Sequence, residues 1–236
     1  MRGIILSMIA GKYEVYLENG QTITYSPRGK LRHLKVNLVV GDKVEIENDV
    51  ISKVEERENF LYRPRIANVD LVMIIQSLSE PDFSSYLLDK FLTLVNIYHL
   101  KPCIILTKED LYDEEKVKSI VEDYQSLNID VISFHRGDTE KIALIKDKIR
   151  HKVVALCGQT GAGKSTLINQ LFPEFNRKEG EFSLALKRGK HQTKEVKLLP
   201  YNEGFIADTP GFSSLELNIY KEELKDYFPF FSIVKE

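Results

Sequence analysis

Tryptophan is absent from the 236 residues, and cysteine occurs only twice. Two cysteines can build neither a disulfide framework nor an unaided zinc site. Each lies inside an apolar run, Cys103-Ile104-Ile105-Leu106 and Val153-Val154-Ala155-Leu156-Cys157, which reads as a buried thiol in a reducing compartment. No apolar run approaches the roughly 20 residues of a membrane span. The stretch Ile4 to Ala10 has seven residues and runs straight into the alternating Tyr13-Glu14-Val15-Tyr16-Leu17, so it reads as a strand rather than a signal peptide. A soluble, cytoplasmic protein without a membrane partner is expected. An excess of either charge is missing too: 33 basic against 35 acidic residues, a formal charge of -2, exclude a uniformly basic coat. Any affinity for nucleic acid must come from local patches.

The length exceeds one average domain, so two are expected, one of them small. Residues 1 to about 58 read as five short strands: Ile4 to Ile9, Tyr13 to Leu17, Thr22 to Tyr25, Lys43 to Glu47 and Val50 to Val54. Turn signals at Asn19-Gly20, Pro27-Arg28-Gly29, Gly41-Asp42 and Asn48-Asp49 separate them. A small all-β barrel of the oligonucleotide-binding type over residues 1–60 fits this spacing, with an SH3-like barrel as the alternative. From residue 69 the pattern becomes apolar strand, amphipathic helix, apolar strand, the signature of an α/β domain with a mostly parallel sheet covered on both faces, assigned to residues 61–236. Strands are expected at Leu71 to Gln76, Cys103 to Leu106, Asp130 to Ser133, Val153 to Cys157, Glu195 to Leu199 and Phe205 to Ala207, and helices near 85–99, 114–126, 139–149 and 164–172. Residues 173–194 show no period and read as a long functional loop.

The strongest motif is Gly158-Gln159-Thr160-Gly161-Ala162-Gly163-Lys164-Ser165-Thr166, between an apolar strand and a helical pattern. That context defines a phosphate-binding loop. Glycines let successive N–H groups and the helix N-terminus point at a β-phosphate. Lys164 supplies the β/γ countercharge and Ser165 a hydroxyl for Mg²⁺. The base is chosen elsewhere, at Thr107-Lys108-Glu109-Asp110. A carboxylate at Asp110 accepts from the ring N–H and the exocyclic amine of guanine, a donor pair adenine lacks. Lys108 would lay its stem along the base, and Thr107, standing where translation-type GTPases usually carry Asn, must make a shorter or water-mediated contact. Asp208-Thr209-Pro210-Gly211 supplies a carboxylate that holds Mg²⁺ through water and, in Gly211, an N–H that senses the γ-phosphate. The next residue, Phe212, cannot orient water as the Ras glutamine does. In the loop Arg188-Gly189-Lys190-His191-Gln192-Thr193, Thr193 is the candidate second Mg²⁺ hydroxyl. His191 is the candidate for orienting water, with a solvated loop histidine as the alternative.

These motifs occur in permuted order, with Asp110 ahead of Gly158. Joining old termini and cutting elsewhere preserves a packed sheet. With Arg28-Gly29-Lys30, Gly41-Asp42-Lys43-Val44 and the bridge Leu61-Tyr62-Arg63-Pro64-Arg65-Ile66-Ala67-Asn68-Val69-Asp70, the sequence closely resembles the RsgA (YjeQ/YloQ) family of circularly permuted ribosome-assembly GTPases, over nearly its whole length. The resemblance implies GTP and GDP as ligands, Mg²⁺, late maturation of the 30S subunit, contact with 16S rRNA and stimulation by the 30S particle. It also implies a water-orienting role for His191. The family loop carries a run of threonines where this one has Gln192, Thr193 and Lys194, and the family usually ends in a small zinc-binding domain. The zinc ligands are absent here, the sequence stopping at Glu236 before that domain, so a shortened chain or a protein without that arm is expected.

Residues 1–36 hold six basic side chains (Arg2, Lys12, Arg28, Lys30, Arg32, Lys35) against two acidic, whereas residues 37–60 hold three against seven. A basic loop beside an acidic edge fits an oriented phosphate contact through Arg28, Lys30 and Arg32, with a solvated barrel as the alternative. The functional expectation is a monomeric GTP hydrolase coupled to the ribosome. A nucleotide-gated RNA-binding module with little turnover is the alternative, and a small-molecule kinase is disfavoured by Asp110 and the lack of an acceptor lid.

Overall fold

The computed structural model describes residues 1–29, 31, 36–62, 65–172, 196–208, 223–228 and 230, with Asp208 described in its backbone alone. Five strands, β1 (Arg2–Ile9), β2 (Lys12–Leu17), β3 (Thr22–Pro27), β4 (Lys43–Glu47) and β5 (Val50–Val54), close a barrel in the order β1-β2-β3-β5-β4. Its core is Ile5, Val15, Leu17, Tyr25, Leu38, Val44, Ile46 and Ile51. The apolar run at the N-terminus has a structural cause: Ile5 faces this core, while Ile4 and Leu6 on the other side join the core of the following domain. A strand covered on both faces loses its alternation.

A two-stranded hairpin, β6 (Phe60–Tyr62) and β7 (Arg65–Ala67), joins barrel to sheet, an element the sequence pattern did not reveal. The joint is rigid. Gly41 has φ 87°, and a Cβ there would lie 2.1 Å from the Ala67 carbonyl oxygen, so only glycine fits. Asn68 donates to the Gly41 carbonyl (2.9 Å) and accepts from the Glu58 N–H (2.9 Å), and Asn59 bonds both N–H and C=O of Val69. Asp42, fully buried, accepts the Val39 N–H at 2.8 Å and a bidentate pair from Arg57 at 2.6 and 2.9 Å. The Asp42 hydrogen bonds raise the Arg57 pKa above its usual value, and its guanidinium also lies over the Phe60 ring, 5.0 Å from the centroid.

The second domain is a six-stranded sheet of order β10-β9-β8-β11-β13-β12, with β8 (Leu71–Ser77), β9 (Pro102–Thr107), β10 (Asp130–Phe134), β11 (Val153–Cys157), β12 (Lys197–Tyr201) and β13 (Gly204–Asp208). All pairings are parallel except β12 with β13. Both faces are buried. Val72, Ile74, Ile104, Leu106 and Ala155 pack under α1 (Ser85–Ile97) and α2 (Glu114–Gln125), and Met73, Ile75, Ile105, Val154 and Leu156 under α3 (Thr139–Ile149) and α4 (Lys164–Leu171). Ser84, Asp113 and Asp138 cap α1, α2 and α3 by accepting the N–H three residues on. A short α5 (Leu224–Tyr227) rests on α1, where Asn96 donates to the Tyr227 carbonyl at 2.9 Å. Both cysteines are buried, and burial pushes the Cys103 thiol up to about 12 and raises Cys157 as well. No helix among the described residues is long and apolar enough to cross a membrane.

The chain runs outward from β8 through β9 to β10, then returns to place β11 on the other side of β8 and continues to β13. This reversal puts a topological switch point between β8 and β11, where open α/β sheets bind ligands beyond the carboxyl ends of their strands.

Replacing Arg57 by Met should cost about 3 kcal/mol in urea unfolding, because it strands a buried carboxylate without its counter-charge. A loss below about 0.5 kcal/mol would show that Asp42 is not held by this pair.

Candidate functional site

Parallel alignment brings the ends of β8, β9, β10, β11 and β13 to one edge, so the segments following Ser77, Thr107, Phe134 and Cys157 converge there, beside the end of β13 at Asp208. The loop after β11 begins at Gly158, φ 141°, where a Cβ would meet the Ile75 carbonyl oxygen at 2.1 Å. Gly158 must therefore be glycine for the loop to leave the sheet against β8. Gly163, φ 92°, is the N-cap of α4, and a Cβ there would press on Thr107 at 3.3 Å. Between them Gln159, Thr160 and Gly161 curl around the buried Ala162, and the Ala162 N–H closes on the Gln159 carbonyl at 3.3 Å. Ser165 and Thr166 stand exposed on the first turn of α4, whose N-terminal amides favour an anion. The Lys164 ammonium reaches back over the loop to the carbonyls of Gly158 (2.5 Å) and Gln159 (2.8 Å). It is a cation held at the mouth of an amide-lined cradle.

Thr107 ends β9, buried, and its hydroxyl donates to the Ala162 carbonyl at 2.8 Å. The contact expected of Thr107 thus runs to the phosphate loop and fixes one loop's height against the other. Lys108 takes the left-handed conformation, φ 61°, and starts a single 3₁₀ turn over Glu109–Leu111. Its ammonium donates to the Ser79 carbonyl at 3.0 Å and to the Glu80 carbonyl, so its stem crosses the loop after β8. Glu109 meets the His135 ring, with Oε1 and Nδ1 3.3 Å apart. Among the described residues, Asp110 alone of the four has no side-chain hydrogen bond or ion pair, and it is exposed. Three of the four anchor the turn, and the fourth carries a carboxylate with no partner among the described residues.

His135 was not singled out from the sequence. It follows β10, whose last rung pairs Phe134 with Thr107, so it stands beside the 109–111 turn. The Asp138 N–H bonds the His135 carbonyl at 3.2 Å, and the Gly137 N–H bonds Gln170 of α4 at 2.9 Å, so this loop is tied to the phosphate-loop helix. The signal available was positional: a polar residue directly after a strand of a parallel sheet lies at the ligand edge. Glu109, His135 and Asp138 also form a group with ligand atoms within 4.8 Å of one another.

Asp208 is the last residue of β13, paired in register with Leu156 and Lys197. Its backbone therefore sits one strand from the phosphate loop. Gly211, His191, Thr193, Lys30 and Arg32 lie outside the described residues. Arg28 is exposed, with Glu47 at 3.9 Å.

Two family models account for most of the sequence: the RsgA N-terminal domain over residues 2–53 and the RsgA GTPase over residues 54–218. The small ribosomal subunit biogenesis GTPase RsgA of Staphylococcus epidermidis is 40% identical over 235 residues, covering 96% of this chain and 80% of the relative. The crystal structure of YjeQ from Thermotoga maritima superposes with a TM-score of 0.81 at 33% identity, covering 96% of this chain and 81% of that one. The circularly permuted GTPase YloQ gives a TM-score of 0.81 at 34% identity, with 98% of this chain and 79% of that one covered.

If His135 steadies the turn that carries Asp110, His135→Ala should raise the GDP dissociation constant about fivefold, the size of one ordinary hydrogen bond of about 1 kcal/mol. Turnover at saturating GTP should stay unchanged, and His135→Asn should restore much of the affinity. An unaltered GDP affinity in His135→Ala would remove the residue from the site.

Proposed function

The chain belongs to the RsgA family of GTPases, and from that premise we propose that it hydrolyses GTP to GDP and phosphate in the biogenesis of the small ribosomal subunit. The observation that carries the nucleotide assignment is the Thr107–Ala162 bond, which joins a guanine-reading turn to a phosphate cradle across 55 positions of sequence. The base edge would meet Asp110, with the stem of Lys108 beneath it and the Glu109–His135 pair behind. The Gly158–Thr166 loop would wrap the β-phosphate with its amides, and Lys164 would exchange its two carbonyl partners for phosphate oxygens.

Ser165, Asp208 and Thr193 carry hard oxygen donors of the kind Mg²⁺ prefers, and Ser165 stands exposed at the start of α4, beside the cradle. Mg²⁺ bound there would neutralise charge on the β- and γ-oxygens. Ser165 and Thr193 would be its hydroxyl ligands, Asp208 would act through water, and the Gly211 N–H would respond to the γ-phosphate. His191 would orient the attacking water, accepting its proton through the ring nitrogen. Zinc is assigned to no residue of this chain. The barrel, through Arg28, Lys30 and Arg32, would meet 16S rRNA within the 30S subunit, the protein acting as a cytoplasmic monomer.

The test is GTP and ATP turnover with and without purified 30S subunits, in the wild type and in His191→Ala. Intrinsic hydrolysis should be slow, of the order of the 10⁻⁴ per second of unassisted Ras, and 30S should raise it by at least about 100-fold for GTP alone. His191→Ala should lose most of that gain while binding GDP normally. GTP binding without stimulation would contradict the ribosome-coupled reading, and undiminished turnover in His191→Ala would contradict the role of the histidine.

A further inference from the structure

The barrel and the nucleotide-binding sheet are held together by more than the hairpin that links them. Ile4 and Leu6 of β1 share one core with Leu198 of β12 and with Val196 just before it. Tyr16 of β2 meets Phe205 of β13 edge to face, with centroids 5.4 Å apart. Beside these contacts the Glu14 carboxylate of β2 accepts a hydrogen bond from the buried Ser7 hydroxyl of β1 and pairs with the Lys197 ammonium of β12 at 3.2 Å. The Ser7 hydrogen bond and the Lys197 pair hold the Glu14 carboxyl below its usual range against the opposing effect of burial. All three kinds of contact, apolar, aromatic and ionic, fall on the same pair of strands.

Those strands have a particular place in the chain. β12 begins one residue after the segment 173–195, which lies outside the described residues, and β13 ends on Asp208. Lys197 is the rung directly opposite Asp208 in the antiparallel ladder, followed by Leu198 with Ala207 and Leu199 with Ile206. A ladder in register does not slip by fractions of a residue, because a shift of one residue turns every side chain to the other face. Whatever holds Lys197 therefore holds the backbone at Asp208. An exposed ion pair adds little to stability. This one is half-buried and fixes direction, since it joins the end of β12 nearest Asp208 to the barrel.

We propose that Glu14 and Lys197 couple the nucleotide site to the barrel: the β1–β2 face of the barrel holds the β12–β13 hairpin, and through this pair the nucleotide state is transmitted to the barrel. The inference rests on the reading of Asp208 as a nucleotide-site residue. By linkage the coupling is reciprocal, so a ligand on the barrel alters nucleotide affinity by the same factor as nucleotide alters affinity for that ligand.

The test is amide hydrogen exchange of Lys12–Leu17 in the full chain, with Mg²⁺ and either GDP or guanosine 5′-(β,γ-imido)triphosphate, nucleotide occupancy being measured alongside by fluorescence. In the wild type, exchange in this strand should differ about fivefold between the two nucleotides, the lower end of usual coupling between sites. The difference should collapse in Glu14→Gln and in Lys197→Met, and return in the charge-swapped Glu14→Lys/Lys197→Glu. Loss in the single variants without return in the swap would assign the link to packing and overturn the ionic role. Equal exchange in the wild type with both nucleotides bound would overturn this inference alone. Failure to bind either nucleotide would overturn the GTPase reading and the inference with it.

Discussion

The insertion of β11 between β8 and β13 is the constraint on which the rest of the structure depends. Its first rung is fixed by Asp70, whose N–H bonds the Val153 carbonyl at 2.9 Å and whose carboxylate accepts the Val153 N–H at 2.7 Å. From there the register Val154 with Leu71 to Cys157 with Ile74 delivers Gly158 against the Ile75 carbonyl, so close that no side chain fits. The same alignment sets Ala162 opposite the Thr107 hydroxyl. The Lys108–Leu111 turn and the Gly158–Thr166 loop are therefore positioned by strand pairing and not by chain order. That is why a permuted chain can make the same site: cutting and rejoining loops leaves the ladder intact.

The barrel is bound by the same economy of surface. β1 is apolar on both faces because it serves two cores, and the Asp42–Arg57 pair, Gly41 and the Asn59 and Asn68 bonds leave little freedom at the joint. A barrel on a flexible tether would need none of these contacts. Here the packing makes the barrel part of the frame that holds the hairpin leading to Asp208, which gives binding on one unit a direct physical route to the other.

Much of this was legible in the sequence. β8, β9 and β11 carry apolar runs of four or five residues, and covered parallel strands are written that way, whereas the edge strand β10 mixes polar and apolar residues. The three helices expected near 85–99, 114–126 and 139–149 begin at Ser85, Glu114 and Thr139, each capped by the residue before it. The phosphate loop was legible because its chemistry demands glycine at fixed spacing. The β6–β7 hairpin was not, since three residues per strand are too few to show alternation, and Arg63-Pro64 reads as a break. Nor was the partner of Thr107: the sequence implied a shorter or water-mediated contact than Asn would make, and only the fold shows that the hydroxyl reaches Ala162. His135 was missed because nothing local marks it. Its role comes from the neighbour that β10 acquires in the sheet.

The central claim is that Asp110, left free by its three anchored neighbours, reads the guanine edge beside the Gly158–Thr166 cradle. The most direct measurement is the affinity of wild type and Asp110→Asn for GDP and for xanthosine diphosphate. Xanthine carries a carbonyl where guanine carries the exocyclic amine, so an amide at position 110 can donate where the carboxylate could only accept. Wild type should prefer GDP, and the variant should lose at least about 100-fold in GDP affinity while gaining xanthosine diphosphate, since a site built for one hydrogen-bond pattern rejects the other strongly. GDP binding unaffected by Asp110→Asn would contradict the account, because the base would then be read elsewhere.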